Sequence, residues 1–391
     1  MARRRRQGAG SSHDREGGPG MGVDCGSQVV LCEYPIRLDT YEGCSHDCRY
    51  CFARMKRDIS NVKPLHCAEQ VRRFAAGNRT STTSWCDWRI PLHWGGLSDP
   101  FQPAELEHRC TLEVLQVLKE TQHPFIVSTK GRLVAEEPYL TLLSECDAVV
   151  QISMTSPLLD KLEVGAPTFA ERIEMAARLA PRVKRVIARA QPYLPQCKAS
   201  LMEALPEMKR AGIHGITLEG MKFKRRKPGL VKVGGDWAYP EDELERDYLA
   251  IRSRCRELGL AFWCAENRLR SLGDSTACCG CGDLPGFEGN RFNCVSIANG
   301  SGGGSVRADA AAGDGGLLQG AAPGGRDIRC DSAEELCRAY DGRGGCLLMP
   351  REAMRRKGTG AVLAGVPQCA GRYGALLRES PFCRAMMDFM R

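Results

Sequence analysis

No stretch of this chain holds the roughly 18 consecutive apolar residues that a membrane-crossing helix needs, so no membrane partner is expected. The arginine-rich start, "MARRRRQGAGSSHDREGGPG", lacks an apolar h-region behind its charges, and with it the mark of a secretory signal. The expectation is a cytoplasmic, reducing setting, where gathered thiols bind metal more often than they form disulfides. No internal repeat is visible. Four-ligand structural zinc sites commonly use two C-x-x-C pairs, whereas the tightest thiol group here is spaced C-x₃-C-x₂-C with no obvious adjacent fourth.

What is present is length, glycine and cysteine. The chain has 391 residues, 43% of them apolar and 26% charged, with 43 Gly and 21 Cys. That is enough for a barrel-sized core that needs no disulfide to hold it. The net charge of +8 includes Arg3, Arg4, Arg5 and Arg6 and is compatible with nucleic acid as a candidate partner or with a solvated tail.

Composition divides the chain. Residues 1–33 read as a disordered basic tail. From 34 to 266, short β-type runs alternate with helical patterns. The strand candidates are 35–41, 90–96, 124–129, 148–155, 183–190, 214–219 and 260–266. Helical candidates lie at 103–121 (with Leu106, Cys110, Val114, Val117 and Leu118 on one face), 168–180 and 240–259. Such alternation predicts parallel βα units, and so a partial parallel (β/α)6-type TIM barrel, an α/β fold, with a Cys-rich extension. Residues 267–297 are that extension, 298–327 a Gly-rich linker, and 328–391 a small helical tail.

The chemistry gathers in "LDTYEGCSHDCRYCFAR", which sets Cys44, Cys48 and Cys51 on a loop after the first strand. Barrel enzymes carry their reactive groups at that end of the strands. Three thiolates on a cluster of four irons leave one iron open to an outside ligand. A zinc site that recruits His46 or a distant Cys is the alternative.

The loop resembles that of the radical S-adenosylmethionine (SAM) superfamily, and within it the spore photoproduct lyase-like group, the DNA repair photolyase-like proteins. Three further stretches resemble that group, in its order: "GGLSDPFQPAE" (95–105), "IVSTKGRL" (126–133) and "LEVGAPTFAERIEMAARLA" (162–180). The resemblance implies a [4Fe–4S] cluster on Cys44, Cys48 and Cys51, with SAM on the fourth iron and an external one-electron reductant such as flavodoxin or ferredoxin. It implies Tyr50 near the adenine, Gly95 and Gly96 against the SAM amino group, and Ser128 and Lys130 at the ribose or carboxylate. Gln151, Ser153 and Arg189 stand at later strand ends as further candidates. The group's cysteine hydrogen donor is matched here by Gly96, and its Tyr after the last cluster cysteine by Phe52; Cys67 and Cys86 lie nearby in sequence.

A second set, Cys264, Cys278, Cys279 and Cys281 with Cys294, is a candidate ligand set for a second iron–sulfur cluster or zinc. Redox-active free thiols or ordinary core cysteines are the other readings. Cys330, Cys337, Cys346, Cys369 and Cys383 show no ligand spacing. Glu219 and the run "KFKRRK" (222–227) are candidates for the rim, as a substrate contact and a phosphate contact. A radical SAM enzyme acting on nucleic acid is the first functional reading. Modification of a peptide or small molecule through an auxiliary cluster is the second, and a zinc-bound nucleic-acid module without catalysis the third.

Overall fold

The computed structural model describes residues 22–25, 32–55, 58–80, 83, 86, 88–233, 236–275 and 277–290, with the backbone of 318–321 and 327–330. Most of the expected tail, linker and C-terminal segment lies outside these residues.

The strands are β1 (Val23–Cys25), β2 (Ile36–Leu38), β3 (Tyr41–Glu42), β4 (Lys63–Pro64), β5 (Leu92–Trp94), β6 (Phe125–Thr129), β7 (Ala148–Ser153), β8 (Arg185–Tyr193), β9 (Gly215–Gly220), β10 (Lys222–Phe223), β11 (Val231–Val233), β12 (Asp236–Ala238) and β13 (Ala261–Cys264). The backbone strands Leu318–Ala321 and Asp327–Cys330 form a separate pair. The helices are α1 (Ala68–Ala75), α2 (Glu105–His108), α3 (Cys110–Thr121), α4 (Tyr139–Ser144), α5 (Phe169–Leu179), α6 (Lys198–Arg210) and α7 (Glu241–Glu257).

The fold is mixed α/β around one largely parallel sheet in the order β1-β2-β5-β6-β7-β8-β9-β13. Only the β1–β2 pair is antiparallel. The strand β1 falls inside the 1–33 stretch read as tail: it pairs with β2 and buries Val23, which composition averaged over arginines and glycines conceals. Seven parallel strands are present, one for each strand candidate.

Side-chain alternation along these strands divides the interior in two. Phe125 and Val127, Val150 and Ile152, Ala188 and Ala190, and Phe262 and Cys264 face a core shared with α3, α4, α5, α6 and α7. Ile126, Val149, Ile187 and Trp263 face the other way, against Tyr34, Ala277, Cys279, Cys281 and Phe287. The second face is thus covered by the Cys-rich segment rather than by helices. Arg185 fastens that segment through Gly280 O at 2.6 Å and Asp283 Oδ1 at 2.6 Å, and Tyr34 Oη donates to Phe287 O at 3.0 Å.

The helical pattern at 103–121 is two helices, not one. Arg109 turns left-handed with φ of 54°, and Leu106, placed by periodicity on the buried face, is 65% exposed. The reason is Glu105, whose buried carboxylate accepts from Thr111 N at 2.8 Å and Leu112 N at 2.9 Å and so starts α3 afresh. No helix among the described residues is long and apolar enough to cross a membrane.

Candidate functional site

The loop that carries Cys44, Cys48 and Cys51 leaves the hairpin of β3 and β4 and is held by segments that follow two other strands. After β5, Gln102 accepts from Ser45 N at 2.9 Å and donates to Gly43 O at 3.3 Å. Asp99 on the same segment stands 3.2 Å from His46 Nε2. After β7, Arg49 N donates to Leu162 O at 2.8 Å, and Gly165 N donates to His46 O at 2.8 Å. A Cβ at Gly165 would lie 2.7 Å from Ser45 O, so only glycine lets these backbones meet. The sequence stretches that resemble one family's motifs are therefore in mutual contact, and what they hold is the thiol loop.

Two charged groupings fix the loop from either side. His46 Nδ1 lies 2.9 Å from Gly165 O, while Nε2 is ion-paired with Asp99 at 3.2 Å rather than hydrogen-bonded. Burial works against its charge, but the Asp99 carboxylate outweighs it and raises the imidazole pKa above its ordinary value. Burial likewise opposes the Asp99 charge. His46, Lys130 N–H and the Thr129 hydroxyl override it and hold the carboxyl at about 2. On the other side Glu163 accepts from the Tyr50 hydroxyl and from Arg172, with Lys130 Nζ 3.8 Å away. Lys130 also stands 5.8 Å above the Tyr50 ring.

Burial pushes the Cys44 thiol up to about 12, with Asp99 adding to it. It pushes Cys48 to about 11 against the pull of Lys130. Deprotonation in this environment calls for a bound cation. Among the described residues no three His, Cys, Asp or Glu side chains are disposed to hold a single metal ion. With His46 committed, the loop offers three thiols and no adjacent fourth ligand. That donor set fits an iron–sulfur cluster, where each thiolate takes a different iron, better than a tetrahedral zinc.

Of the remaining cofactor candidates, Tyr50 and Lys130 meet at Glu163. Gly95 has φ of +82°, and a Cβ there would stand 2.3 Å from Ser128 O; at Gly96 the nearest atom is Arg37 Cδ at 3.8 Å. Gly95 thus makes the turn and Gly96 leaves space. Ser128 and Arg189 lie deeper, on the face covered by the Cys-rich segment. Ser128 donates to Gln151 Oε1 at 2.9 Å, and Arg189 Nη1 donates to the same oxygen at 2.9 Å. Ser153 presents its carbonyl to Arg172 Nη1 at 2.6 Å.

The second cysteine set is regrouped. Cys264 faces the helix-covered core, because the residue before it, Trp263, takes the inner face and side chains alternate. Its thiol donates to Glu266 O at 3.6 Å. Cys279 and Cys281 are on the inner face, where Cys278 packs against them. Cys32, unremarked in the sequence, joins the group: Arg37 Nη2 lies 3.6 Å from its sulfur, and Cys279 Sγ lies 3.8 Å from His93 Nδ1. A hydrogen bond from Cys279 holds the Cys278 thiol below its ordinary pKa, with Arg270 and Arg189 assisting against burial. Cys67 and Cys86 are buried in the helix-covered core, away from this face. Cys294 lies outside the described residues, as do Cys337, Cys346, Cys369 and Cys383, and Cys330 is described by its backbone alone.

On the rim, Lys222 is spoken for. Its Nζ lies 2.8 Å from Glu219 Oε1 and 4.0 Å from Glu266 Oε2. Burial disfavours its charge, but these two carboxylates outweigh it and raise its pKa. Lys224 pairs with Asp236 at 2.6 Å, while Arg225, Arg226 and Lys227 are exposed.

No protein-family model matches the chain. Uncharacterised proteins of Mycobacterium bovis and Mycobacterium tuberculosis are 27% identical to it over 237 residues, covering 56% of this chain and 66% of theirs. The match thus spans a little under two thirds of those relatives. Among solved structures it is similar to spore photoproduct lyase complexed with a dinucleoside spore photoproduct, with a TM-score of 0.49 and 14% identity over 59% of this chain and 77% of that one. It is also similar to Streptococcus suis SuiB bound to S-adenosylmethionine, with a TM-score of 0.42 and 14% identity over 59% and 51%.

Proposed function

We propose that this chain is a radical SAM enzyme of the spore photoproduct lyase-like group, with Cys44, Cys48 and Cys51 holding a [4Fe–4S] cluster. One observation carries the reading: a loop with three thiols, fastened by Asp99, Gln102, Glu163 and Gly165, has its one nearby histidine committed on both nitrogens. When bound, cluster and SAM supply one-electron cleavage of the sulfonium to a 5′-deoxyadenosyl radical. The sequential strand order, with helices on one face, supports a partial (β/α) barrel around this site.

The chain's own residues do the positioning. Gly96 leaves room for the amino end of SAM and Tyr50 stands at the adenine. Lys130, drawn toward Glu163, supplies a cation for the SAM carboxylate, with Ser128, Ser153 and Arg189 further along the strand ends. A flavodoxin or ferredoxin would deliver the electron. A nucleic-acid partner would meet Arg225, Arg226 and Lys227, since Lys222 is paired inward. Neutralising those three should abolish salt-dependent binding if nucleic acid is the substrate.

The test is anaerobic reconstitution, followed by iron content and 5′-deoxyadenosine release on reduction with SAM. The reading expects about four irons per chain at this loop, with both signals lost in a Cys44→Ala, Cys48→Ala, Cys51→Ala variant. Zinc in place of iron, with no SAM cleavage under any reductant, would overturn it.

A further inference from the structure

A row of polar side chains crosses the inner face of the sheet, from Arg37 on β2 to Arg189 on β8. Arg37 Nη1 lies 2.5 Å from His93 Nδ1 and must donate, so His93 carries its own proton on Nε2. That nitrogen faces Ser128 Oγ at 3.5 Å, and Ser128 donates in turn to Gln151 Oε1 at 2.9 Å. Arg189 closes the row by donating to Gln151 at 2.9 Å and to Ser128 at 3.3 Å, with its Nε on Gln191. Every acceptor in the row is filled by a donor within it. Gln151 sends its own amide out to Cys279 O at 3.2 Å.

The two cations of the row have no carboxylate partner within it. A guanidinium has five N–H donors, and the bonds above occupy only part of each set, all on neutral atoms. Neither Arg37 nor Arg189 lies within ion-pair distance of a carboxylate among the described residues. The nearest acids are committed: Asp39 accepts from Leu97 N, Ser98 N and Ser98 Oγ, and Glu219 from Gln191 and Lys222. Two partly buried cations with spare donors and no carboxylate call for an anion, because an uncompensated charge at such a site is costly.

We propose that Arg37 and Arg189 form an oxyanion site on the floor of the candidate active site, and that it receives an anionic group, phosphate or carboxylate, of the substrate. A Cβ at Gly96 would stand 3.8 Å from Arg37 Cδ, so the Arg37 end of the row reaches the turn that the radical SAM reading gives to the cofactor. The assignment deepens the radical SAM reading by naming a substrate class, and gives Arg189 to substrate rather than cofactor. The thiols of Cys32, Cys278 and Cys279 line the same floor and are the internal groups that could serve as counter-anions instead.

Inorganic phosphate is the probe, titrated into the iron-free full chain by calorimetry, so that the outcome does not depend on cluster loading. Saturable binding is expected, weakened about tenfold in Arg37→Gln and in Arg189→Gln, as for loss of a charge-assisted contact. Arg37→Lys should retain part of the affinity, and Arg178→Gln, at an exposed arginine on α5, should retain all of it. SAM and its decarboxylated analogue are then compared on the reconstituted protein. If Arg189→Gln weakens SAM alone, the site belongs to the cofactor's carboxylate and the proposal falls. Absence of phosphate binding overturns it as well, in favour of the thiols as counter-anions. Phosphate binding in a chain that takes up no iron would leave this site standing and remove only the radical SAM reading.

Discussion

Asp99→Asn tests whether the thiol loop is held electrostatically. The Asp99 carboxylate joins His46 on the loop to Thr129 Oγ1 at 2.6 Å and Lys130 N at 2.7 Å on the end of β6. Its carboxyl is held at about 2 against an ordinary 3.8, and its side chain is 9% exposed, so solvent screening removes little. At 1.36 kcal/mol per unit this amounts to about 2–3 kcal/mol at neutral pH. Because the folded pKa is depressed, that contribution is full above about pH 4 and is lost as the pH falls toward 2. The His46 pKa is raised, so its share is full below the ordinary 6.5 and is lost as pH rises through the folded value. The pair therefore contributes most between those limits. In the Asp99→Asn variant one carboxylate oxygen is replaced by an amide that faces N–H donors, and His46 stays buried without its counter-charge. Urea unfolding at pH 6 should show a loss of about 3 kcal/mol. The acid limb between pH 4 and 2 should flatten. A variant within about 0.5 kcal/mol of the parent, with its acid limb intact, would refute the electrostatic account of the loop.

Three further outcomes follow from the same contacts. Glu163→Gln removes the nearer of two carboxylates from the Arg172 guanidinium, which is 1% exposed and keeps Asp160 at 3.5 Å, and should lower stability by about 2 kcal/mol in denaturant melts; a neutral result would mean that Asp160 suffices as the counter-charge. Gly165→Ala drives a methyl against the Ser45 carbonyl and should cost about 1–3 kcal/mol, with faster proteolysis within 43–51 as the local readout. Cys264→Ser should leave iron content unchanged while costing about 1–2 kcal/mol for a buried hydroxyl. Loss of iron in that variant would return Cys264 to the list of ligands.

The sheet was legible because parallel strands buried on both faces read as short apolar runs, and "FIVST" and "AVVQIS" stand out from any background. The thiol loop was legible because its ligands are local. What stayed hidden was whatever depends on distant residues sharing one face. Cys264 looked like a site cysteine by its place at a strand end, yet one step of alternation turns it to the helices. Cys32 looked like nothing, yet the return of 277–287 across the inner face brings Cys278 and Cys279 to it. Asp99 and Glu163 were inside quoted motifs without a role, since spacing along a chain cannot show that a carboxylate after one strand meets a histidine or a tyrosine after another. The same limit hid Arg37. On the sequence it is one more charge in an excess of cations, and it becomes chemical only when β2 and β8 curve it and Arg189 toward a shared row of neutral acceptors. How a cation on that inner face is partnered is a property of the fold, and a composition that merely reads +8 carries no trace of it.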